Sequence, residues 1–156
     1  MAILDDIRFA YLPGYRVAGM AEPWRDRINE TIALLRAEGI GAVVTLTEDN
    51  PYGEKFSQAG LRRLYEPVND CEPPTPESMD RIIAFMDGAL DDGLAVAVHC
   101  CEGRGRTGTI LGVWLGVKLG LSGEDAIENI YKMRFHTVIT VEQRKFMIAY
   151  LADGRS

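Results

Sequence analysis

Residues 94–98 are apolar, residues 98–109 read VHCCEGRGRTGT, and residues 109–119 are again mostly apolar. The short run suits a buried strand and the longer one a buried helix. Gly103, Gly105 and Gly108 fall at the step between them, where the chain must turn sharply. A strand, a glycine-rich turn and a helix start in this order aim several backbone N–H groups at one point, and the helix dipole adds positive potential there. Such a step makes an anion cradle. Cys100 sits at its start and Arg106 six residues on. The amides, the dipole and the guanidinium all favour a thiolate over a thiol at Cys100.

The remaining pattern predicts strands alternating with helices. Residues 7–11 and 15–20 flank Pro13 and Gly14 and read as a hairpin. Pro23 opens a helical stretch with Ile28, Ile32 and Leu35 on one face and Gly39 as its stop. Residues 40–46 form a β-branched strand; a turn at Asn50 and Pro51 leads through a short helix to a strand over 61–68. Thr75, Pro76 and Glu77 cap a helix that buries Met79, Ile82, Ile83 and Met86 and ends near Gly93. Ser122 caps a helix with Ile127, Ile130 and Met133 inward, and residues 141–151 form the last. The expected fold is α/β: a central, mainly parallel twisted sheet flanked by helices, with 1–156 as a single domain. Sites in such sheets lie at the C-terminal ends of strands, where Cys100 falls.

Composition excludes several classes. The 156 residues are 47 % apolar and 26 % charged, an ordinary globular balance. No window approaches the ~18 apolar residues of a membrane span. The first six residues lack the basic flank of a signal peptide. No membrane partner and a cytoplasmic location are therefore expected. With 17 basic against 23 acidic residues and a net charge of −6, no nucleic-acid partner is expected either. Three cysteines and two histidines suggest no disulfide framework, no metal and no cofactor. The oligomeric state is open.

His99 and Cys100, five residues, then Arg106 and Thr107, resemble the signature of the cysteine-dependent protein tyrosine phosphatase superfamily. From about residue 7 to 150 the order of elements resembles the small single-domain atypical dual-specificity phosphatases, with similar segments at 43–47, 73–76, 104–108 and 141–143. The resemblance implies a protein tyrosine phosphatase-like fold. It also implies metal-independent hydrolysis of phosphotyrosine, phosphoserine and phosphothreonine monoesters through a phosphocysteine intermediate, with a phosphorylated protein or small phosphate monoester as partner. Cys100 is then the nucleophile. Arg106, whose planar fork matches two phosphoryl oxygens, is the main phosphate ligand. Cys101, Glu102, Gly103, Arg104, Gly105 and Thr107 complete the cradle.

Asp70 matches the family's general acid. It lies about thirty residues before the nucleophile, in a proline-rich stretch, 66–74, that cannot form regular structure. The bland alternative is a turn-forming Asp, and Glu66 and Glu72 are fallback acids. Asn69 stands where relatives often carry Pro. Thr107 is expected to donate to the Cys100 sulfur, to cap the helix, or both. His99 is expected to be a buried supporting residue, and Gln143 either the family's water-orienting Gln or an ordinary surface Gln at a helix start. Cys71 and Cys101 fill small apolar volumes, or Cys71 traps oxidised Cys100.

Rival readings remain. Phosphoinositide and RNA-phosphate phosphatases of the same superfamily favour a basic cradle; Arg104 fits that, whereas Glu102 and the net charge do not. The low-molecular-weight phosphatases carry the cysteine before the acid, the reverse of the order here. A non-catalytic phospho-residue binding module usually lacks the Cys, the Arg or the acid, and all three are present. A nucleotide loop would need a Gly-Lys-Ser/Thr ending, which is missing.

Overall fold

The apolar run before the cysteines becomes the central strand of a five-stranded sheet in the computed structural model, which describes residues 2–154. The spatial order is β1 (Ala10–Tyr11), β2 (Val17–Met20), β5 (Ala95–His99), β3 (Ile40–Thr45) and β4 (Arg62–Tyr65). Only β1 and β2 pair antiparallel; the other neighbours are parallel. Every residue of β5 is buried, as expected for a parallel strand covered on both faces. Val96 and Val98 point into one apolar layer, and Ala95 and Ala97 into the other.

The first layer receives α4 (Pro76–Asp91), α5 (Gly105–Leu119), α6 (Gly123–Met133) and α7 (Val141–Ala152); the second receives α1 (Ala2–Asp6), α2 (Ile28–Ala37) and α3 (Gly53–Gln58). Helix α5 is buried on all sides over residues 106–116, the mark of a core helix rather than a surface one. The expected caps form: Thr75 Oγ1 accepts from the Ser78 N–H at 3.1 Å and Ser122 Oγ from the Asp125 N–H at 3.2 Å. No described helix is long and apolar enough to cross a membrane.

Four boundaries differ from expectation. The N-terminal half of the predicted hairpin is mostly absent. Ile3, Leu4 and Ile7 instead pack as a helical face on the second layer, leaving β1 two residues long. The stretch after Pro23 begins as a 3-10 turn at Arg25–Arg27 before α2. Strand β4 stops at Tyr65 because Pro67 has no N–H to donate. The chain nevertheless stays beside β3, through Glu66 N–H to Thr45 O at 3.1 Å and Val68 N–H to Leu46 O at 2.9 Å. Helix α5 begins at Gly105, four residues before the predicted 109, so Arg106 and Thr107 lie in its first turn.

Ile110 is fully buried in α5, and Ile110→Ala is expected to lower stability by about 2–5 kcal/mol. Urea unfolding followed by the fluorescence of Trp114, itself buried on the same helix, measures this. A loss below about 1 kcal/mol would contradict the packing described.

Candidate active site

Five residues, 100–104, carry the chain from the end of β5 to the start of α5. Cys100 is buried, and its Sγ accepts hydrogen bonds from the Gly103 N–H at 3.3 Å and the Thr107 hydroxyl at 3.1 Å. The carbonyls of Cys101, Glu102 and Gly103 are each taken from outside the loop. Glu22 N–H reaches the first at 2.9 Å, Arg8 Nη1 the second at 2.9 Å and Arg134 Nη2 the third at 2.7 Å. Each peptide is planar and trans, so a carbonyl drawn outward turns the N–H of the next residue inward. Gly103 adopts φ +72°, and a Cβ there would lie 2.6 Å from the Met20 carbonyl carbon and oxygen. Only glycine fits. Arg104 at the N-cap makes no side-chain cap, which leaves the first-turn N–H groups of α5 for an anion. Thr107 is therefore not the helix cap, and its hydroxyl serves the sulfur.

Arg106 is buried and reaches out of α5 toward two loops. Its Nη1 donates to Glu48 Oε1 at 2.6 Å and to Val68 O at 2.9 Å, and Nη2 stands 3.5 Å from Asp70 Oδ1. Burial opposes its charge, but the Glu48 hydrogen bond and the charges of Cys100, Glu48 and Asp70 outweigh it and raise its pKa. In turn the Arg106 bond holds Glu48 below the usual carboxylate range, helped by backbone N–H groups that include Asp70 N–H to Oε2 at 3.2 Å. Glu48 was not singled out from the sequence. The one available signal was its place just beyond the end of β3, the neighbour of β5.

Asp70 lies exposed on the loop between β4 and α4. Of the three carboxylates weighed as acids, it is the one within ion-pair distance of Arg106. Glu66 turns to α4 instead, paired with Arg81 at 2.9 Å and hydrogen-bonded by Ser78 at 2.8 Å, which lowers its pKa. Glu72 Oε2 accepts from Asn69 Nδ2 at 3.3 Å, so the residue in the usual proline position ties the loop by its side chain. Gln143 is fully buried rather than a surface residue. Its Oε1 accepts from the Thr140 N–H at 3.0 Å, closing a capping box on α7, and its Nε2 donates to Glu72 O at 3.2 Å. Thr140 Oγ1 adds a bond to Cys71 O at 2.9 Å. The start of α7 thus grips the Asp70 loop. Cys71 and Cys101 are both exposed, against the expectation that they fill apolar volumes.

Residues 18–120, about two thirds of the chain, match the family described as "Polymorphic toxin system, DSP-PTPase phosphatase". That span includes Glu48, Asp70 and the whole Cys100–Thr107 loop. The chain belongs to this phosphatase family. An uncharacterized protein of Methanocaldococcus jannaschii, MJECL20, is 39 % identical over 90 residues, 56 % of this chain; the match spans 58 % of that relative's length. Among solved structures, Tk-PTP in its active form superposes with a TM-score of 0.80 at 28 % identity, covering 93 % of this chain and 96 % of that one. PTPMT1 in complex with PI(5)P superposes with a TM-score of 0.77 at 26 % identity, covering 88 % and 90 %.

His99 closes β5 beneath the loop. Its Nδ1 lies 3.3 Å from Cys100 O, which can only accept, so Nδ1 carries the proton. Nε2 is then bare and accepts from the Thr45 hydroxyl at 2.9 Å. Burial lowers the His99 pKa from 6.5 to about 4, and the ring stays neutral. As pH falls through that window the unfolded chain takes up a proton that the folded one refuses, so stability is full above about pH 6.5 and is lost toward pH 4. The loss is about 3 kcal/mol. Urea unfolding at pH 7 and pH 4 is expected to show wild type losing about that much more than His99→Gln. Equal losses would remove His99 as the cause.

Proposed function

We propose that the phosphatase hydrolyses phosphotyrosine, phosphoserine and phosphothreonine monoesters of proteins through a phosphocysteine intermediate. The observation that carries this reading is the loop with three outward-held carbonyls and a buried sulfur receiving N–H and O–H donors. Amide groups turned inward above a thiolate suit a phosphoryl dianion and a nucleophile beneath it. The Cys100 thiolate attacks phosphorus; the S–P bond forms as the bond to the leaving oxygen breaks. Both Nη1 hydrogens of Arg106 are committed to Glu48 and Val68. Nε and Nη2 are the edge left to hold two phosphoryl oxygens side by side.

The leaving oxygen needs a proton. Glu48 is held as a carboxylate by Arg106, so it is a poor acid, and Asp70 is the other carboxylate at that guanidinium. Asp70 donates first; its carboxylate then takes a proton from the water that attacks phosphocysteine, releasing inorganic phosphate and the thiolate. The Thr107 hydroxyl on Sγ stabilises the departing sulfur. His99 and Gln143 hold the loop and the acid segment in place. No step calls for a metal or cofactor.

A second reading, a phosphoinositide phosphatase, draws on the likeness to PTPMT1 with PI(5)P. The carboxylates on the Arg106 side of the mouth favour the first. Glu22 lies in the field of Asp49 and Arg106, and burial and Asp49 raise its pKa. With Glu48 and Asp70 it gives that side of the mouth a carboxylate cluster, which disfavours a polyanionic headgroup.

Cys100→Ser is expected to abolish hydrolysis of an aryl phosphate, assayed with reductant and a chelator; residual turnover would exclude the cysteine mechanism. Asp70→Asn is expected to slow phosphoserine peptide hydrolysis by roughly 10²–10⁴-fold while sparing an activated aryl phosphate. Equal losses on both substrates would take the acid role from Asp70. In the same assays PI(5)P is expected to turn over more slowly than a phosphopeptide, and the reverse order would favour the second reading.

A further inference from the structure

Arg106 is the arginine that the motif leads one to expect at the site. A second one, Arg134, is buried against the same loop. It follows α6 directly, only 3 % of it is exposed, and its Nη2 donates to Gly103 O at 2.7 Å. Nη2 also meets His136 Nε2 at 3.0 Å; since arginine has no acceptor, the imidazole nitrogen is the acceptor. Nε and Nη1 are buried without a partner. Among the described residues no carboxylate lies within ion-pair distance of Arg134. Its surroundings are a strand and a helix: a Cβ on Gly19 of β2 would lie 2.6 Å from Nη1 and 2.9 Å from Leu111 Cδ1 of α5.

A guanidinium in this position is costly. Burial pulls its pKa down to about 10, the Cys100 charge opposes that fall, and Arg8 adds to it. An apolar side chain of similar size would fill the same space without desolvating a cation. Gly103, whose carbonyl Arg134 holds, also donates its own N–H to Cys100 Sγ at 3.3 Å, so Arg134 and the proposed nucleophile share one loop residue. The one bond from Arg134 to the loop is to Gly103, the residue wedged against the Met20 backbone at φ +72°.

We propose that Arg134 is a positioning residue of the phosphate cradle: it holds the Gly103 carbonyl outward, so that the Arg104 N–H on the same rigid peptide faces inward, and it stands as an unneutralised cation behind the bound phosphoryl group. This inference rests on the phosphatase reading above. Met20 blocks one side of the Gly103 peptide and Arg134 draws its carbonyl to the other, so the turn has one direction open to it. Without Arg134, the Gly103 carbonyl loses the guanidinium bond that holds it outward. The peptide is then free to rotate and present its oxygen to an incoming anion. Arg106 cannot substitute, because its guanidinium is tethered to the Glu48 and Asp70 side of the site.

Three variants test the inference: Arg134→Leu, Arg134→Lys and Gly19→Ala. The last keeps Arg134 in the sequence but sets a methyl group 2.6 Å from its Nη1, so the guanidinium must shift from its present place. The readouts are kcat on an aryl phosphate and the inhibition constant of tungstate, a phosphate-shaped anion, both per folded molecule as judged by thermal melting. A merely structural role lowers the melting temperature and leaves both quantities unchanged below it. The expected result is a roughly ten- to hundredfold weaker tungstate constant and a fall in kcat for Arg134→Leu, the scale of one lost charge-assisted hydrogen bond. Arg134→Lys, which keeps the charge but not the planar fork, and Gly19→Ala are expected to shift in the same direction by less. If Arg134→Leu does not fold, the other two decide. Wild-type kcat and tungstate inhibition in folded Arg134→Lys and Gly19→Ala, beside an active wild type, would overturn the inference alone. A wild type that neither turns over nor binds tungstate would overturn the phosphatase reading and this inference with it.

Discussion

The site depends on one constraint: the main chain must pass from β5 to α5 in five residues while the Met20 backbone blocks any side chain at Gly103. The left-handed turn there is open to glycine and strained for other residues. It puts three carbonyls in a row on the outside of the loop, where Glu22, Arg8 and Arg134 take them. The inward-facing donors, the sulfur and the head of α5 then fall at one place. Because β5 is the middle strand of a parallel sheet with helices on both faces, its C-terminal end opens onto a rim rather than into the core. The burial of α5 on all sides anchors the helix whose start completes the cradle.

Charge is distributed unevenly around that cradle. Arg106 has lost its water, with 3 % of its side chain exposed, whereas its partner Glu48 keeps 54 % exposed. Only one ion of the pair is desolvated, which avoids most of the penalty of a fully buried salt bridge. The exposed carboxylate holds Arg106 in place. On the other flank Arg8, Arg104 and Arg134 cluster round His136, and their fields, after burial, lower its pKa. The loop thus lies between cations on one side and a carboxylate-paired cation on the other.

Much of the fold was legible in the pattern. The strands over 40–46 and 94–98, the caps at Thr75 and Ser122 and the inward faces of α4 and α6 were all foreseen within a residue or two, because burial periodicity and capping are local properties. The start of α5 was misplaced because Gly105 and Gly108 look like loop residues. They lie in the helix, where the 137–138 segment packs so closely that a side chain at Gly108 would collide and one at Gly105 would be tight. The N-terminal helix was missed because Ile3, Leu4 and Ile7 form a face too short to announce itself. At the candidate site, Cys100, Arg106, Thr107 and Asp70 were singled out by their spacing, and the structure brings them together. Glu48 and Arg134 were not, since no spacing rule links them to residues 58 and 31 positions away. Gln143 was noticed, but its bond to the Asp70 loop across 71 positions was not foreseeable.

By itself the sequence determined the class of fold and the glycine turn that joins Cys100 to Arg106, because these follow from local periodicity and from chemistry packed into a dozen consecutive residues. Only the tertiary structure decided what surrounds them. It chose Glu48 as the partner of Arg106, turned Glu66 away to α4, latched the acid loop to Thr140 and Gln143, and set Arg134 behind Gly103. Each of those contacts joins segments far apart in the chain. Their geometry follows from how the two apolar layers close over the sheet, which no local pattern encodes.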